Sequence, residues 1–358
     1  MAIDLNQVIS AFNIAHSAEI YGNGHINDTY LVNHTKKYIL QKINTDIFQN
    51  PQRLMENIAA VTDFIRKKVK AAGGNPDRET LTVIRTVDGK NYYKAEDGSY
   101  FRMYNFVENA VSYDTITDPA QFYYAARAFG RFQRMLSDFP AATLDETIPN
   151  FHNTRSRFED FQAAVKADLE SRAAGVRREI QFVLDREKYA DVVNDAMADG
   201  SVPVRVTHND TKLNNVLLDP VTYEGVCVID LDTVMPGSAL FDFGDALRFG
   251  ANHGAEDDTD LDNVYCDLHL FEQFTKGFLE ELGPELTSRE IELLPFSAVL
   301  MTYECGMRFL GDYLNGDVYF RIHRPGQNLD RARSQFKLAA DMETKLDEMA
   351  AIVRKYRK

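Results

Sequence analysis

Short runs in which apolar and polar residues alternate dominate the first hundred positions, and this period of two is typical of β-strands. One longer stretch is different. After Asn50-Pro51, apolar residues recur at helical spacing up to Gly73, which predicts a helix with Pro51 in its first turn. The predicted strands on either side of this helix are 18–21, 29–33, 37–43, 81–87, 91–95 and 99–107. We therefore predict a small antiparallel sheet with one helix.

Beyond residue 108 the apolar period changes to about 3.6, which predicts helices. The first begins at Asp118-Pro119, and the others cover 155–174, 177–199, 263–282, 287–314 and 328–356. Between them, β-branched runs joined by polar loops predict short strands at 202–206, 216–218 and 226–229. The chain is thus expected to have an α+β fold with two lobes. Residues 1–107 would form a small β-rich lobe, and residues 108–358 a larger, mainly helical lobe.

Composition narrows the possible functions without naming one. The net charge of -14 disfavours binding to nucleic acid or to an anionic membrane surface, since both need a basic patch. No apolar run approaches the roughly 20 residues of a membrane span, and the first residues do not resemble a signal peptide. The cysteines are far apart and lack metal-ligand spacing: Cys227, Cys266 and Cys305. These features predict a cytoplasmic globular protein without a disulfide framework.

The predicted strands after residue 200 carry a set of polar residues with a specific spacing. His208 and Asp210 follow the first of these strands, Asn215 comes five residues after Asp210, and Asp230 directly follows a buried strand. Phosphoryl transfer needs a carboxylate that orients the attacking hydroxyl and metal ligands that neutralise phosphate charge. Asp210 suits the first role, while the oxygen ligands of Asn215 and Asp230 suit Mg²⁺. We expect His208 to brace the loop through hydrogen bonds.

Simpler interpretations exist for these residues. A lone His-x-Asp is common, and residues 210–215 could be an ordinary capped turn, but the position of Asp230 after a strand favours catalysis. Asp242-Phe243-Gly244 spells the metal-binding tripeptide of protein kinases, yet it lies at the start of a predicted helix. We therefore expect Asp242 and Asp245 to cap that helix and brace the loop. Asp232 could approach the metal or be a solvated carboxylate.

A glycine-containing turn lies between the first two predicted strands. Gly22 and Gly24 would let backbone N–H groups approach a phosphate closely, as in a loop that covers a nucleotide. The turn is not a Walker loop, because no Gly-Lys-Ser/Thr follows it. Many hairpins use Asn-Gly, so this signal gains its meaning only from the later motif.

Several of these stretches resemble a known superfamily. Residues 210–215, 229–230 and 241–245 are similar to the aminoglycoside phosphotransferase and choline kinase superfamily, which has a protein-kinase-like fold with two lobes. Longer stretches resemble its N-acetylhexosamine 1-kinase subfamily, namely 21–27, 207–215, 229–233, 235–238 and 304–310. The resemblance covers nearly the whole chain, in the same order and spacing.

The resemblance implies a reaction and a substrate. Such an enzyme transfers the γ-phosphoryl group of ATP, with Mg²⁺, to the C1 hydroxyl of N-acetylglucosamine or N-acetylgalactosamine. The products would be the sugar 1-phosphate and ADP. Asp210 would lie at the C1 hydroxyl, and the implied sugar contacts are His25, Arg308 and Tyr319. Alternatively, His25 could only shape the glycine turn, Arg308 could pair with a neighbouring carboxylate on its helix, and Tyr319 could fill the core.

The chain departs from the protein-kinase pattern on its third strand. Where a lysine for the nucleotide phosphates is expected, Gln41 follows the apolar pair and Lys42 comes one residue later. Because side chains alternate along a strand, only one of the two can face the phosphates, and both remain candidates. If it is Gln41, the usual ion pair to Glu56 of the helix is absent. Adenine is expected to bind the backbone of the segment Phe106, Val107 and Glu108.

Other functions fit parts of this pattern. The substrate could be an amino alcohol, homoserine, another hexose or an aminoglycoside, although His25 and Arg308 suit a neutral sugar better than a cation. An ATP-binding pseudokinase is favoured only by Gln41, whereas Asp210, Asn215 and Asp230 are residues that transfer requires. No feature of the sequence points to a protein partner, and we expect a monomer.

Overall fold

Among the described residues, six antiparallel strands between Ala18 and Asn105 form the main sheet. The computed structural model describes residues 4–14, 18–22 and 27–357. The strands of this sheet are β1 (Ala18–Ile20), β2 (Asp28–Asn33), β3 (Lys37–Ile43), β4 (Val83–Ile84), β5 (Tyr93–Lys94) and β6 (Tyr100–Asn105). Their order is β1-β2-β3-β6-β4, and β5 pairs with β6. The predicted strand at 81–87 is therefore mostly a loop, since only two of its residues pair.

Helices cover both faces of this sheet. They are α1 (Leu5–Ser10), α2 (Pro51–Ala71) and α3 (Pro76–Glu79). The long helix begins as predicted, because the side chain of Asn50 accepts a hydrogen bond from the backbone N–H of Arg53 and Pro51 follows it. On the opposite face, α1 contributes to a separate apolar cluster of Val8, Ile9, Phe12, Ile14, Val32, Leu40, Phe101 and Met103. The sequence did not predict α1 and α3, which are too short to show a period.

The rest of the chain is mainly helical, as predicted. Its helices are α4 (Pro119–Met135), α5 (Thr154–Ala167), α6 (Arg177–Leu184), α7 (Val192–Ala198), α8 (Ala239–Gly250), α9 (Leu268–Leu282), α10 (Ser288–Leu314), α11 (Gln327–Thr344) and α12 (Leu346–Tyr356). The predicted helices 177–199 and 328–356 are each divided in two. No helix within the described ranges is long and apolar enough to cross a membrane.

Two small antiparallel pairs of strands lie in the helical part. One is the hairpin of β8 (Val216–Leu218) and β9 (Gly225–Val228), and the other joins β7 (Arg205–Thr207) to β10 (Met235–Gly237). Short 3₁₀ turns at Leu213–Asn215 and Leu231–Thr233 follow β7 and β9. These turns bring the polar motif residues to one place, facing the sheet. The α+β prediction is confirmed, and the lobe boundary after residue 107 stays a prediction.

Candidate active site

His208 anchors the loop that follows β7. Its ring is buried, its Nε2–H donates to the backbone oxygen of Ile229 (2.8 Å), and its Nδ1 accepts from the backbone N–H of Asp210 (3.3 Å). Phe129 and Phe132 pack edge-on against the ring at 5.5 and 6.0 Å. The predicted bracing role is confirmed, because these bonds tie the Asp210 loop to the end of the strand that carries Asp230.

Asn209 gives the loop its sharp turn. Its φ of 64° lies in the left-handed region, which costs a non-glycine residue free energy unless its surroundings hold it there. The Oδ1 atom accepts from the hydroxyl of Thr207 (2.9 Å), and Nδ2 donates to the backbone oxygen of Thr233 (2.8 Å). The loop is thus held in one conformation from both strand ends.

The carboxylate of Asp242 supports the same loop through hydrogen bonds to its backbone. Its Oδ1 accepts from the backbone N–H of Asn209 (2.7 Å), and its Oδ2 accepts from the backbone N–H of His208 (3.0 Å). Oδ2 also accepts from the side-chain amide of Gln133 (2.5 Å). Because both oxygens already have donors, Asp242 braces the loop as predicted and is poorly placed to hold a metal.

The predicted helix-capping role of Asp242 and Asp245 is wrong. Ser238 caps α8, since its hydroxyl accepts from the backbone N–H of Leu240 (3.2 Å). Asp242 lies within the first turn of the helix instead. Gly244 allows α8 to pack closely against α10, because a Cβ atom at this position would lie 2.3 Å from the backbone oxygen of Ser297 in α10. Asp242 and Gly244 of the kinase-like tripeptide thus make structural contacts here.

Asp210 faces the space between sheet and helices with both carboxylate oxygens hydrogen-bonded. Oδ1 pairs with Nζ of Lys212 (2.8 Å), and Oδ2 accepts from Nδ2 of Asn215 (2.9 Å). Burial by itself would raise the pKa of Asp210, but the ammonium of Lys212 and the amide of Asn215 more than offset this and hold its pKa below the usual value. Asp210 is therefore an ionised acceptor, a quarter exposed, that a substrate hydroxyl can reach.

Lys212 was missed by the sequence analysis. Its neighbours Thr211 and Leu213 are both buried in the structure, whereas the side chain of Lys212 is 34% exposed. Thr211 is fixed by its hydroxyl, which donates to the backbone oxygen of Asp242 (2.6 Å), and by its N–H, which donates to Asp245 (3.0 Å). The ammonium of Lys212 is held beside Asp210 by this rigid backbone.

Asp230 and Asn215 fit the requirements of a Mg²⁺-nucleotide. Asp230 is exposed to the cleft, and no donor among the described residues binds its carboxylate. Desolvation by the surrounding protein and the negative charges of Asp232 and Asp210 raise the pKa of Asp230. A cation bound nearby would therefore stabilise the ionised form of this carboxyl group. In the described part of the chain, both side-chain hydrogen bonds of Asn215 use Nδ2, so its oxygen is available as a metal ligand.

A metal at this position would need ligands from outside the protein. Within the described ranges no group of three His, Cys, Asp or Glu side chains could hold an ion. Mg²⁺ in kinases is usually held by one or two carboxylates together with phosphate oxygens and water, rather than by a cage of protein atoms. Asp230 and Asn215 are the predicted ligands for such an arrangement.

Asp232 joins the helical part to the sheet. It is buried, accepts from Nδ2 of Asn27 (2.7 Å) and forms an ion pair with the buried guanidinium of Arg102 in β6. Burial alone would lower the pKa of Arg102, but the charges of Asp232 and Asp230 raise it above the usual value. The interpretation of Asp232 as a solvated carboxylate is therefore wrong. Its partner Arg102, 130 residues away in sequence, could not be identified from the motif.

The register of β3 separates the two candidate phosphate contacts. Gln41 pairs with Arg102, and Lys42 pairs with Phe101, which belongs to the apolar cluster under α1. Lys42 thus points away from the cleft, while Oε1 of Gln41 accepts from Nε of Arg102 (3.0 Å). The geometry favours Gln41 as the inward residue. Glu56 pairs with a neighbour on the surface of α2, so the lysine–glutamate ion pair is absent here.

The residues predicted to bind adenine lie where the sheet joins the helical part. The backbone N–H of Phe106 donates a hydrogen bond to the backbone oxygen of Lys37 (3.1 Å). The ring centroids of Phe106 and Tyr21 are 5.9 Å apart. Val107 is buried and Glu108 is exposed. Gly22 has a φ of 71°, which glycine adopts without strain. Gly24 and His25 lie outside the described residues, and the nucleotide contacts of this region stay predictions.

Arg308 and Tyr319 lie together in a cleft of about 180 Å³ beside α10. The guanidinium of Arg308 packs over the rings of Phe151, Tyr319 and Phe320 at 5.2 to 5.7 Å. In the described part of the chain it forms no ion pair with Glu304 or Asp312. Tyr319 is 52% exposed, so it does not fill the core. Both residues are therefore free to contact a ligand.

Arg157 adds a second positive charge to this cleft. Burial and the neighbouring charge of Arg308 lower the pKa of Arg157, so the two guanidinium groups are close. Asp312 also lines the cleft, and its oxygens accept from the backbone N–H groups of residues 318, 319 and 320. Asp160 is a distant and exposed partner of Arg157 at 3.7 Å. The cleft therefore presents both signs of charge, two guanidinium groups and the carboxylates of Asp160 and Asp312.

A buried pair connects this cleft to the catalytic loop. Nδ1 of His152 donates to Glu304 (2.8 Å), while Nε2 lies 3.4 Å from the backbone oxygen of Asn209. The second oxygen of Glu304 accepts from the hydroxyl of Thr154 (2.5 Å). Glu304 lies one helical turn before Arg308, so the same helix positions the cleft and, through His152, the loop of Asp210.

We expect Glu304→Gln to lower the free energy of unfolding by about 3 kcal/mol at pH 7, since it replaces a buried carboxylate that accepts hydrogen bonds from His152 and Thr154. Burial would raise the pKa of Glu304, but hydrogen bonds from His152 and Thr154 more than offset this and lower it. A lowered pKa in the folded state stabilises above the unfolded value of about 4.3 and stops stabilising as the pH falls through the folded value. The difference between variant and wild type should therefore shrink in acid.

Urea unfolding at pH 7, 5 and 3 measures this effect. Glu348→Gln serves as the control, because Glu348 is exposed on α12. A difference in unfolding free energy that stays constant from pH 7 to pH 3 would show that the charge of Glu304 is not involved.

Comparison with known proteins places this site in a family. Residues 17–282 match the APH family of phosphotransferase enzymes. A microcompartment-associated aminopropanol kinase is 16% identical with a TM-score of 0.61, covering 97% of this chain and 98% of that one. An aminoglycoside phosphotransferase from Alicyclobacillus acidocaldarius is 14% identical with a TM-score of 0.60, covering 99% and 96%. The choline kinase LicA from Streptococcus pneumoniae is 15% identical with a TM-score of 0.54, covering 94% and 97%.

At such identities the structural matches show the fold, and they confirm the predicted kinase-like arrangement of two lobes. The family match covers well over half of the chain and includes the loop of Asp210, Asn215 and Asp230. The chain belongs to the APH family of phosphotransferase enzymes.

Proposed function

We propose that this chain transfers the γ-phosphoryl group of ATP to the anomeric C1 hydroxyl of N-acetylglucosamine or N-acetylgalactosamine. The family makes it a small-molecule phosphotransferase, and the identity of the sugar is the proposal. The observation that carries it is the cleft with Arg157, Arg308 and Tyr319. Two guanidinium groups and an exposed aromatic ring suit the hydroxyls, the amide and the apolar face of an acetylated sugar.

Each residue has a role in this proposal. Asp210 accepts the hydrogen bond of the C1 hydroxyl and receives its proton as the oxygen attacks phosphorus. Asn215 and Asp230 would hold Mg²⁺, which neutralises charge on the ATP phosphates. Arg308 and Tyr319 orient the sugar ring. His208, Asn209 and Asp242 keep the loop rigid, so that the hydroxyl needs little rearrangement to react.

The same cleft speaks against the amino compounds that several structural relatives phosphorylate. The names of those proteins describe an aminopropanol kinase and a choline kinase. An ammonium group needs a carboxylate or an aromatic cage, whereas here the rings pack against the guanidinium of Arg308 and Asp160 pairs with Arg157. Amino compounds are therefore the alternative substrates that the first experiment should distinguish from the acetylated sugars.

A substrate panel followed by ³¹P NMR tests the proposal. Purified protein is incubated with Mg-ATP and N-acetylglucosamine, N-acetylgalactosamine, galactose, choline, homoserine or kanamycin. We expect a new sugar 1-phosphate signal with the two acetylated sugars only. Phosphorylation of choline or kanamycin alone would reject the sugar and keep the kinase. Absence of turnover with every compound would favour the pseudokinase.

Arg308→Gln is expected to raise the KM for the sugar by about tenfold or more, because a charged hydrogen bond contributes about 1.5–3 kcal/mol. The KM for ATP should stay within about twofold, since Arg308 lies in the cleft beside α10 and not between the lobes. Steady-state kinetics with each substrate varied in turn measures both values. Arg354→Gln, at an exposed position of α12, is the control. A rise in the KM for ATP alone would contradict the assignment.

A further inference from the structure

Asp312 is a buried carboxylate, one helical turn after Arg308 on α10, to which the proposed function gives no role. It is 6% exposed, and its hydrogen bonds go to the loop that follows the helix. Oδ1 accepts from the backbone N–H groups of Val318 (3.0 Å) and Tyr319 (2.8 Å). Oδ2 accepts from the backbone N–H of Phe320 (2.9 Å). One side chain thus holds three consecutive peptide groups.

The loop 315–320 depends on this carboxylate for its hydrogen bonds. It belongs to no helix or strand, and within the described ranges the N–H groups of residues 318–320 have no backbone acceptor. The carboxylate therefore supplies the acceptors that secondary structure supplies elsewhere. A carboxylate has two oxygens that each accept more than one hydrogen bond, whereas an amide has a single oxygen and an NH₂ group that only donates. Asparagine could not replace Asp312 in this role.

Other contacts hold the same loop from a second side. Gly316 and Asp317 have φ angles of 96° and 61°, so the chain turns sharply after α10. Asn328, buried at the start of α11, donates its Nδ2 to Asp312 (2.9 Å) and to Asp317 (3.0 Å). The other oxygen of Asp317 pairs with Arg172 (2.7 Å). The backbone of the loop is therefore fixed from several elements at once.

The side chains of this loop form one wall of the cleft beside α10. Tyr319 is 52% exposed, and its ring centroid lies 4.8 Å from that of Phe320. The guanidinium of Arg308 packs over both rings, at 5.7 and 5.4 Å. A tyrosine side chain has two χ angles, so fixing its backbone fixes most of the position of its ring. The carboxylate of Asp312 thus determines where this wall stands.

We propose that Asp312 is a positioning residue for acceptor specificity, which holds the loop 315–320 so that Tyr319 and Arg308 meet the acceptor in one arrangement. This inference rests on the sugar phosphorylation proposed above. Asp312 acts through the backbone of the loop and does not need to touch the substrate. Among the described residues, the hydrogen bonds of this loop go to α10, α11 and Arg172, and none goes to the loop of Asp210. The chemical step should therefore be affected much less than acceptor binding.

Steady-state kinetics of Asp312→Asn tests this separation. We expect the KM for N-acetylglucosamine to rise about tenfold, because the aromatic and hydrogen-bonding contacts of the wall are no longer held in place. The kcat at saturating sugar and the KM for ATP should stay within about threefold of wild type. Glu292→Gln is the matched control, since it removes a carboxylate from an exposed position of the same helix. It should change none of these values.

A double-mutant cycle with Tyr319→Ala shows whether Asp312 acts through the loop. If it does, adding Asp312→Asn to Tyr319→Ala should change the KM for the sugar by less than about threefold, because the contact is already lost. Two independent contacts would instead multiply their effects on this KM. Multiplication would overturn the inference, because Asp312 would then act on the acceptor without Tyr319.

Fluorescence reports on the loop without any ligand. The chain contains no tryptophan, so Tyr319→Trp introduces a single indole that can be excited selectively. Adding Asp312→Asn should lower the anisotropy of its emission, because the loop gains freedom to move. Adding Glu292→Gln should leave the anisotropy unchanged. Equal anisotropy with and without Asp312→Asn would show that this carboxylate does not hold the loop.

These measurements distinguish failure of this inference from failure of the proposed function. If the wild type phosphorylates another compound of the panel, the KM comparison is made with that compound. A wild type without turnover rejects the proposed function, while the anisotropy still decides whether Asp312 holds the loop. An active, folded Asp312→Asn protein with an unchanged KM for the acceptor rejects this inference alone. Thermal melting verifies folding, and Asp312→Glu, which keeps the charge but displaces both oxygens, replaces an unfolded Asp312→Asn.

Discussion

Asp210→Asn is expected to lower kcat by about 10³-fold, within the range of about 10²–10⁴ that general acid–base groups contribute. Asparagine keeps the shape and can still bond Lys212 and Asn215 weakly, but it cannot accept a proton. Affinity for Mg-ATP should remain close to that of wild type, because Asp210 is expected to contact the acceptor and not the nucleotide. Rapid-quench measurement of a single turnover, together with calorimetric titration of Mg-ATP, separates the two effects.

The control for this prediction is Asp262→Asn, which removes an equivalent carboxylate at an exposed position. Its turnover should match that of wild type. Near-normal turnover in Asp210→Asn would reject Asp210 as the proton acceptor. A loss of Mg-ATP affinity equal to the loss in rate would instead place Asp210 at the nucleotide.

The sequence predicted the elements whose signals are local. β3 occupies the predicted residues 37–43, and α2 starts at the predicted cap, because alternation, Asn50 and Pro51 act within a few positions. The strand predicted at 81–87 is shortened, because the hydroxyl of Thr86 bonds the turn around Lys90 and draws the chain out of the sheet. Helix 328–356 divides at Lys345, where neither glycine nor proline marks the break.

The same distinction between local and long-range signals applies to the site residues. Asp210, Asn215 and Asp230 could be proposed from the sequence because their spacing along the chain reflects a strand–loop–strand unit, and the structure brings Asn215 to Asp210. Arg102 was missed, since a charged residue within an apolar strand can be identified as buried only when its partner Asp232 is known. The orientation of Gln41 and Lys42 also needed the register with β6, which no local pattern contains.

Charge balance across the cleft links these residues. Asp210, Asp230 and Asp232 each carry a carboxylate, and two cations from different parts of the chain compensate them. Arg102 comes from the sheet and pairs with Asp232, while Lys212 comes from the loop and pairs with Asp210. Asp230 is left without a cationic partner among the described residues. One uncompensated carboxylate facing the cleft is what the proposed binding of a metal-bound nucleotide would use.

Asp230→Asn should therefore abolish the dependence of nucleotide binding on Mg²⁺ and lower turnover by about 10³-fold or more, since a bound metal contributes several kcal/mol of charge stabilisation to the transition state. The measurement is calorimetric titration of ATP with and without Mg²⁺, alongside kcat as a function of Mg²⁺ concentration. Wild type should bind ATP more tightly with the metal, and the variant should bind it equally in both conditions. Asp262→Asn again provides the control.

Asp242, which belongs to the kinase-like tripeptide, is the alternative metal ligand. Both of its oxygens accept hydrogen bonds from the backbone of His208 and Asn209, so coordinating a metal would require breaking the support of the catalytic loop. Asp230 makes no such bond, and removing its charge leaves the loop intact. An Asp230→Asn protein with unchanged Mg-ATP affinity and rate would mean that the metal is held elsewhere. The bonds around Asp242 would then have to rearrange when the nucleotide binds.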